Sequence, residues 1–197
     1  AVAAMDCNTG EIIAEFVDAN TGPLELSEEV VGAGRTVFAG SCKEAFLGWE
    51  AAGPGEAWYE DIRRLDYTRV YFRRQLGKRT DRKSRDYGWK PDRKSKRIFL
   101  SGLGRAMATG DITLHSKRGL GEMLEYVYYD TGAIGPGSIR EETTGAKEAH
   151  GDRVIAYAGC VYMRSEAPKF EVTRSGYAPD SMGAVLSHEE VWESNDV

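Results

Sequence analysis

Two hydrophobic periods alternate along the chain, and this alternation constrains the fold more than any other feature. Short apolar runs suited to strands are separated by stretches in which apolar residues recur at helical spacing. The first two runs, residues 1–5 and 11–17, are joined by the turn-rich residues 6–10 and predict an antiparallel hairpin. The order of elements that follows favours a mixed α/β layer fold.

The remaining elements continue this alternation. Ser27, followed by two acids, predicts the N-cap of a helix. Further helices are predicted at residues 56–65, 96–108, from near Ser116, and at 152–163. Further strands are predicted at residues 45–49, 70–72 and 112–114, and residues 132–145 are predicted to form a loop.

Length and composition favour one domain followed by a tail. A chain of 197 residues can bury one real core, and no apolar run approaches the roughly 20 residues that span a bilayer. We therefore expect no membrane segment. Residues 1–167 form the predicted domain, and residues 168–197, rich in Gly, Ser and acids without a period, predict a flexible or partner-dependent tail. Three widely spaced cysteines argue against a disulfide framework and favour a reducing, cytoplasmic setting.

Charge is segregated along the chain although the total is only −5. Residues 63–97 contain fifteen Lys or Arg and four acids, and aromatic residues such as Tyr87 and Trp89 are interleaved with the cations. A basic block of this kind can be a solvated loop, but the interleaved aromatics favour a surface that contacts phosphates and stacks on bases or sugars. The predicted DNA contacts are Arg73, Arg74, Lys78, Arg79, Arg82, Lys83, Arg85, Trp89, Lys90 and Lys94.

Two acids stand at positions suited to phosphodiester chemistry. Hydrolysis of a phosphodiester needs an activated water and neutralised charge, which carboxylates holding divalent metals supply. Glu50 ends a predicted buried strand and precedes Gly53-Pro54-Gly55, while Asp152 opens the last predicted helix. Each alone is equally well explained as a solvated strand end or as a first-turn acid favoured by the helix dipole. The combination favours a metal site.

Several local patterns, in this order, resemble the C-terminal nuclease domain of the large terminase subunit of tailed bacteriophages. The patterns lie at residues 5–14, 49–55, 65–71, 87–89, 110–117, 122–125 and 150–156, so the resemblance covers most of residues 1–163. It implies a ribonuclease H-like mixed sheet flanked by helices. In that family the first catalytic aspartate lies on a strand before the opening hairpin, and this sequence contains no such strand, so the resemblance implies an N-terminally truncated domain.

The resemblance also implies site residues, cofactors and partners. Glu50 and Asp152 correspond to the second and third catalytic acids and would hold Mg²⁺ or Mn²⁺ in a two-metal site. His150 is a possible neighbour of the site, and Asp6 is a weaker substitute for the first acid because a turn explains it. The implied partners are double-stranded DNA, an ATPase motor domain, a small terminase subunit and a portal, in the cytoplasm of an infected bacterium.

The sequence lacks the signature of an ATP site, G-x-x-x-x-G-K-[ST], so no ATP site is expected in this chain. The resulting expectation is a metal-dependent endonuclease that cleaves double-stranded viral DNA during genome packaging. Two alternatives remain open. One is a catalytically incomplete DNA-binding module, and the other is a different ribonuclease H-like nuclease of the resolvase or transposase type.

Overall fold

The computed structural model describes residues 1–40, 42–74, 83–130, 132, 134–137 and 151–167, with only the backbone described at residues 74 and 83–85. Within these residues the protein is mixed α/β. The five helices are α1 (Pro23–Arg35), α2 (Pro54–Arg64), α3 (Arg93–Thr109), α4 (Lys117–Leu124) and α5 (Asp152–Arg164). The strands are β1 (Val2–Met5), β2 (Ile12–Phe16), β3 (Phe72–Arg74), β4 (Lys83–Tyr87), β5 (Tyr126–Tyr128) and β6 (Ile134–Pro136).

The strands pair as three antiparallel two-stranded sheets, β1–β2, β3–β4 and β5–β6. The opening hairpin predicted from the sequence is confirmed, with Val2 opposite Phe16 and Met5 opposite Ile12. The predicted tail, residues 168–197, lies outside the described residues, and residues 1–167 form one compact unit. None of the described helices has both the length and the apolar character needed to cross a membrane.

Parallel pairing is present as isolated bridges rather than as long strands. The bridges join Glu11 to Thr113, Leu47 to Val70, and Glu50 to Trp89. The predicted strands at residues 45–49 and 112–114 are therefore extended segments with single bridges, and the predicted strand at 70–72 is displaced to β3. The sequence pattern located these segments but overestimated how regularly they pair.

Helix boundaries follow the capping residues. The prediction of an N-cap at Ser27 is wrong, because α1 starts at Pro23 and Ser27 is buried inside it, where its hydroxyl donates to the Leu24 carbonyl (2.6 Å). The start of α3 lies three residues before the predicted one because Asp92 and Ser95 form a reciprocal capping box. The predicted start of a helix near Ser116 is confirmed, and Ser116 is its N-cap, since its hydroxyl accepts from the Gly119 amide (3.0 Å).

Two hairpins lie where the apolar pattern gave no strand. Strand β4 carries charged residues and pairs with β3, placing Phe72 opposite Tyr87. Strands β5 and β6 pair with Val127 opposite Gly135, so part of the predicted loop at residues 132–145 is a strand. The rest of that loop, from residue 138, lies outside the described residues.

Two hydrophobic clusters meet at the extended segment that carries Glu50. The first cluster, which we call the helical core, packs α3 against α5 through buried residues that include Phe99, Leu103 and Tyr157. The second, the tryptophan cluster, contains Trp49 and Trp58, whose rings meet edge to face with centroids 5.7 Å apart. The boundary between them runs through Trp49 and Trp89, because Trp49 belongs to one cluster and Trp89 to the other.

Candidate functional site

Glu50 is held by backbone pairing with the segment around Trp89. The Trp89 amide donates to the Trp49 carbonyl (2.7 Å), and the Ala51 amide donates to the Trp89 carbonyl (2.6 Å). Neighbouring side chains of an extended segment point to opposite sides. Because Trp49 is buried in the tryptophan cluster, the Glu50 side chain is directed outward, and it is exposed.

The chain turns sharply after Glu50. Gly53 is in the left-handed region (φ 53°) and caps α2, whose first turn contains Gly55. A Cβ on Gly55 would overlap the Glu50 carbonyl oxygen. The Trp49 indole N–H also donates to the Gly55 carbonyl (3.1 Å). The glycines therefore let α2 start directly against the backbone of Glu50.

Asp152 occupies the first turn of α5, as predicted. Its side chain is exposed, and Gly151 before it caps the helix without a side-chain hydrogen bond. The hydroxyl of Tyr126 fills the space beside Gly151, where a Cβ would overlap it. Any side chain at position 151 would therefore require the Tyr126 hydroxyl to move.

The fold brings Glu50 and Asp152 close enough for their charges to interact. Partial burial raises the pKa of the Glu50 carboxyl, the ammonium of Lys96 opposes this, and the negative charge of Asp152 raises it further. Both acids are exposed, so water screens part of these interactions. A carboxylate that lies near a second negative charge, as Glu50 does, favours a bound cation.

The donor set fits a magnesium-type ion. Mg²⁺ is commonly held by one or two carboxylates together with water and substrate phosphates. The part of the chain that the structure describes contains no group of three or more His, Cys, Asp or Glu side chains around a potential metal position. The link between Glu50 and Asp152 is the effect of the Asp152 charge on Glu50, and the predicted neighbour His150 lies outside the described residues.

Asp6, the predicted weaker substitute for a first acid, has a structural role in the hairpin turn. Its carboxylate accepts a hydrogen bond from the Asn8 amide (2.8 Å), and its backbone carbonyl accepts from the Gly10 amide (2.8 Å). This is the turn explanation that the sequence pattern offered.

Lys96 was not predicted as a site residue. It is an exposed residue in the second turn of α3, and the stacking of Phe99 on Trp89, with ring centroids 4.3 Å apart, fixes that turn beside the Glu50 segment. A lysine on the polar face of a helix gives no sequence signal that separates it from a solvated one. Only tertiary packing brings it to Glu50.

The structure describes some of the predicted DNA contacts fully, some only by their backbone, and some not at all. Arg73 is partly exposed and lies 3.8 Å from the Asp86 carboxylate. Lys90 and Lys94 are exposed near the start of α3. Arg74 lies on β3, and Lys83 and Arg85 lie on β4, but the structure describes only the backbone of these three residues. The other predicted contacts, Lys78, Arg79 and Arg82, lie outside the described residues.

Trp89 has a different position from the one expected of a DNA contact. Its side chain is only 5% exposed and stacks on Phe99, which in turn stacks on Tyr162. A buried ring cannot stack on a base. In this structure Trp89 therefore serves the site by pairing its backbone with Trp49 and Ala51.

A buried polar network supports the start of α5. Arg153 forms ion pairs with Glu122 of α4 and, at 3.5 Å, with Glu15 of β2. The Tyr157 hydroxyl and the Ser116 hydroxyl both donate to Glu15. Since Arg153 follows Asp152 directly, this network fixes the backbone that carries the candidate ligand.

The site thus consists of two carboxylates and one lysine that three separate segments contribute. In general, a pair of carboxylates can hold a divalent cation, and an ammonium can pair with an anion. Comparison of this chain with protein-family models, with curated proteins and with solved structures gave no match in any of the three.

Proposed function

We propose that this chain is the metal-dependent endonuclease domain of a terminase large subunit of the tailed-bacteriophage type, with a ribonuclease H-like fold, and that it cleaves double-stranded viral DNA during genome packaging. The observation that carries the proposal is the approach of Glu50 and Asp152, which lie far apart in the sequence and interact through their charges. The ordered sequence patterns that resemble this family add support.

The residues at the site suit phosphodiester hydrolysis. Glu50 and Asp152 would hold Mg²⁺ or Mn²⁺, which when bound lowers the pKa of a water molecule and neutralises charge on the phosphate. Lys96 places a positive charge beside the two acids. That charge would attract the scissile phosphate and stabilise the negative charge that develops on it during cleavage.

The basic residues around β3, β4 and the start of α3 would contact the DNA backbone. Contacts between cations and phosphates do not depend on base identity, so binding should be independent of sequence and weaken steeply with salt. The buried Trp89 is excluded from this set because of its position in the core. As part of a packaging machine the domain would act with an ATPase motor domain, a small terminase subunit and a portal in the cytoplasm of the infected bacterium.

One observation favours a second candidate function. The candidate site contains two of the three catalytic acids that the resemblance implies, Glu50 and Asp152. A DNA-binding module that lacks cleavage would fit an incomplete set of acids. The two candidates share DNA binding and differ in cleavage, so one assay separates them.

The test is nicking of supercoiled plasmid with Mn²⁺ by the wild type, Glu50→Gln and Asp152→Asn. Each substitution removes the charge and keeps the shape, and we expect cleavage to fall by about 100-fold. Glu60→Gln is the matched control, because Glu60 is an exposed acid paired only with Arg63. Cleavage that survives both site substitutions would show that the site is wrong, and DNA binding by a wild type that never cuts would favour the binding module.

A further inference from the structure

A cavity of about 460 Å³ lies at the start of α3, and it is lined by Arg93, Lys94, Arg97 and Gly132. Its size is within the range of sites that hold small ligands. Of the four described residues that line it, three are cationic and none is acidic. A concave surface of this kind is suited to an anion.

The charge of these three cations is only partly offset locally, by the Asp92 carboxylate, which interacts with Lys94 through its charge. None of them forms an ion pair with another residue in the part of the chain that the structure describes. The adjacent acid, Asp92, directs its carboxylate to the Ser95 amide (2.6 Å) as the cap of the helix. The positive end of the α3 dipole adds to the potential at the same position.

Gly132 shapes the cavity from the other side. Its backbone is in the left-handed region (φ 71°), and Nη2 of Arg93 lies 3.5 Å from the position that a Cβ would occupy. The Arg93 guanidinium therefore rests against the backbone at residue 132. Arg93 and Arg97 are one helical turn apart, so their guanidinium groups share one face of α3.

The cavity and the candidate metal site are connected through α3. Arg97 follows Lys96, whose charge acts on Glu50, and the Trp89–Phe99 stack fixes this turn of α3 against the Glu50 segment.

We propose that Arg93, Lys94 and Arg97 bind a backbone phosphate of the DNA strand that Glu50 and Asp152 would cleave. The choice of DNA as the ligand rests on the function proposed above. Two guanidinium groups one turn apart suit a phosphate, because their planar N–H groups can donate in pairs to its oxygens. The pocket would hold the strand in register with the acids.

The experiment compares the wild type with Arg93→Gln/Arg97→Gln, and Arg105→Gln/Arg118→Gln is the matched control. Arg105 and Arg118 are exposed and lie outside the cavity, so the control removes the same charge. Binding of a 20-base-pair duplex is measured by fluorescence anisotropy in EDTA at several salt concentrations. Inorganic pyrophosphate, observed through the arginine side-chain NMR signals, serves as the second probe.

We expect the pocket variant to bind the duplex at least about tenfold more weakly, with a salt slope reduced by about one for each lost phosphate contact. The control should lose less than about threefold. Pyrophosphate should shift the Arg93 and Arg97 signals of the wild type. Circular dichroism of both variants reports whether each is folded.

An equal loss in the control, an unchanged affinity in the pocket variant, or pyrophosphate binding without any effect on the duplex would each overturn the proposal. Because binding is measured in EDTA, it does not depend on the metal site. Absence of cleavage with duplex binding intact would therefore count against the nuclease and not against the phosphate pocket.

Discussion

The Tyr126 hydroxyl donates a hydrogen bond of 3.0 Å to the carbonyl of Gly151, which stands directly before Asp152. Burial raises the pKa of Tyr126 to about 12, and the negative charges of Asp152 and Glu122 add to the effect. The hydroxyl therefore keeps its proton throughout the neutral range and remains a donor. This bond ties β5 to the first turn of α5, where one of the two candidate ligands lies.

We expect Tyr126→Phe to lower the free energy of unfolding by about 1 kcal/mol, the usual contribution of one hydrogen bond. Gly151→Ala should cost about 2 kcal/mol, because the added methyl overlaps the Tyr126 hydroxyl while the backbone (φ −97°) remains an ordinary one. The two changes together should cost less than their sum, since Phe removes the overlapping oxygen. Urea unfolding of the four proteins measures this coupling, and additive effects would contradict it.

Arg153 is expected to be the most sensitive residue of the network beneath α5. Burial alone would lower its pKa, but hydrogen bonding and charge from Glu122 outweigh burial, and the pKa is raised. Arg153→Met would leave the partly buried Glu122 and the more exposed Glu15 without their cation and should destabilise the protein by about 1 to 2 kcal/mol. Adding Glu122→Gln should restore part of the loss.

Chemical denaturation provides the measurement for Arg153→Met, and Arg118→Met is the control because Arg118 is exposed on α4. We expect the control to change the free energy of unfolding by less than about 0.5 kcal/mol. Equal losses in Arg153→Met and in the control would mean that the network contributes nothing specific.

The sequence predicted the helices better than the sheets, for a physical reason. The sequences of α2 and α5 have apolar residues at helical spacing, and this pattern can be recognised without knowledge of the tertiary structure. The early start of α3 was missed although the capping pair Asp92 and Ser95 was present in the sequence. Strand β4 could not be found from periodicity, because backbone pairing with β3 positions it and its charged side chains show no apolar alternation.

The sequence identified the two acids of the candidate site but did not identify its lysine. Glu50 and Asp152 each interrupt an apolar pattern at the end of an element, which is a signal that local sequence carries. The position of Lys96 along α3 does not distinguish it from the other exposed cations of that helix. Its proximity to Glu50 depends on the packing of Phe99 against Trp89, which no local pattern encodes.

Gly10 is expected to be intolerant of a side chain. Its backbone is left-handed (φ 80°), and a Cβ would overlap the Asp111 carbonyl and approach Nη1 of Arg164 at 2.7 Å. Arg164 joins this turn to α5 by donating to the carbonyls of Cys7 (2.7 Å) and Asn8 (3.0 Å). We expect Gly10→Ala to cost about 3 kcal/mol, from backbone strain together with the lost packing.

The control for Gly10→Ala is Gly40→Ala, since Gly40 is also left-handed (φ 57°) and no atom lies within 4 Å of its added Cβ. That change should cost only the strain, about 1 kcal/mol. Thermal unfolding compares the two variants, and a shift in Tm at Gly40 as large as that at Gly10 would exclude a packing contribution at Gly10.

Glu44 should make stability depend on pH below neutrality. The side chain is 2% exposed, and its burial favours a raised pKa. Hydrogen bonds from the Thr68 amide (3.0 Å), the Thr68 hydroxyl (2.9 Å) and Arg35 outweigh burial, and the pKa is lowered. A carboxyl with a lowered folded pKa contributes its full stability above its unfolded pKa of about 4.5 and loses it as pH falls through the folded value.

We therefore expect Glu44→Gln to lower the free energy of unfolding by about 2 kcal/mol at pH 7, because the charge-assisted hydrogen bonds are lost. The difference from the wild type should shrink as pH falls below the unfolded pKa of about 4.5 and through the lower folded pKa of the carboxyl. Urea unfolding across this range measures it. Glu60→Gln, which removes an exposed charge, should stay within about 0.5 kcal/mol of the wild type at every pH. The backbone carbonyl of Glu44 also accepts from Arg69 (2.8 Å), at the start of the segment that leads to Glu50. A difference in stability that does not change with pH would therefore assign the loss to altered packing of that segment and not to the charge.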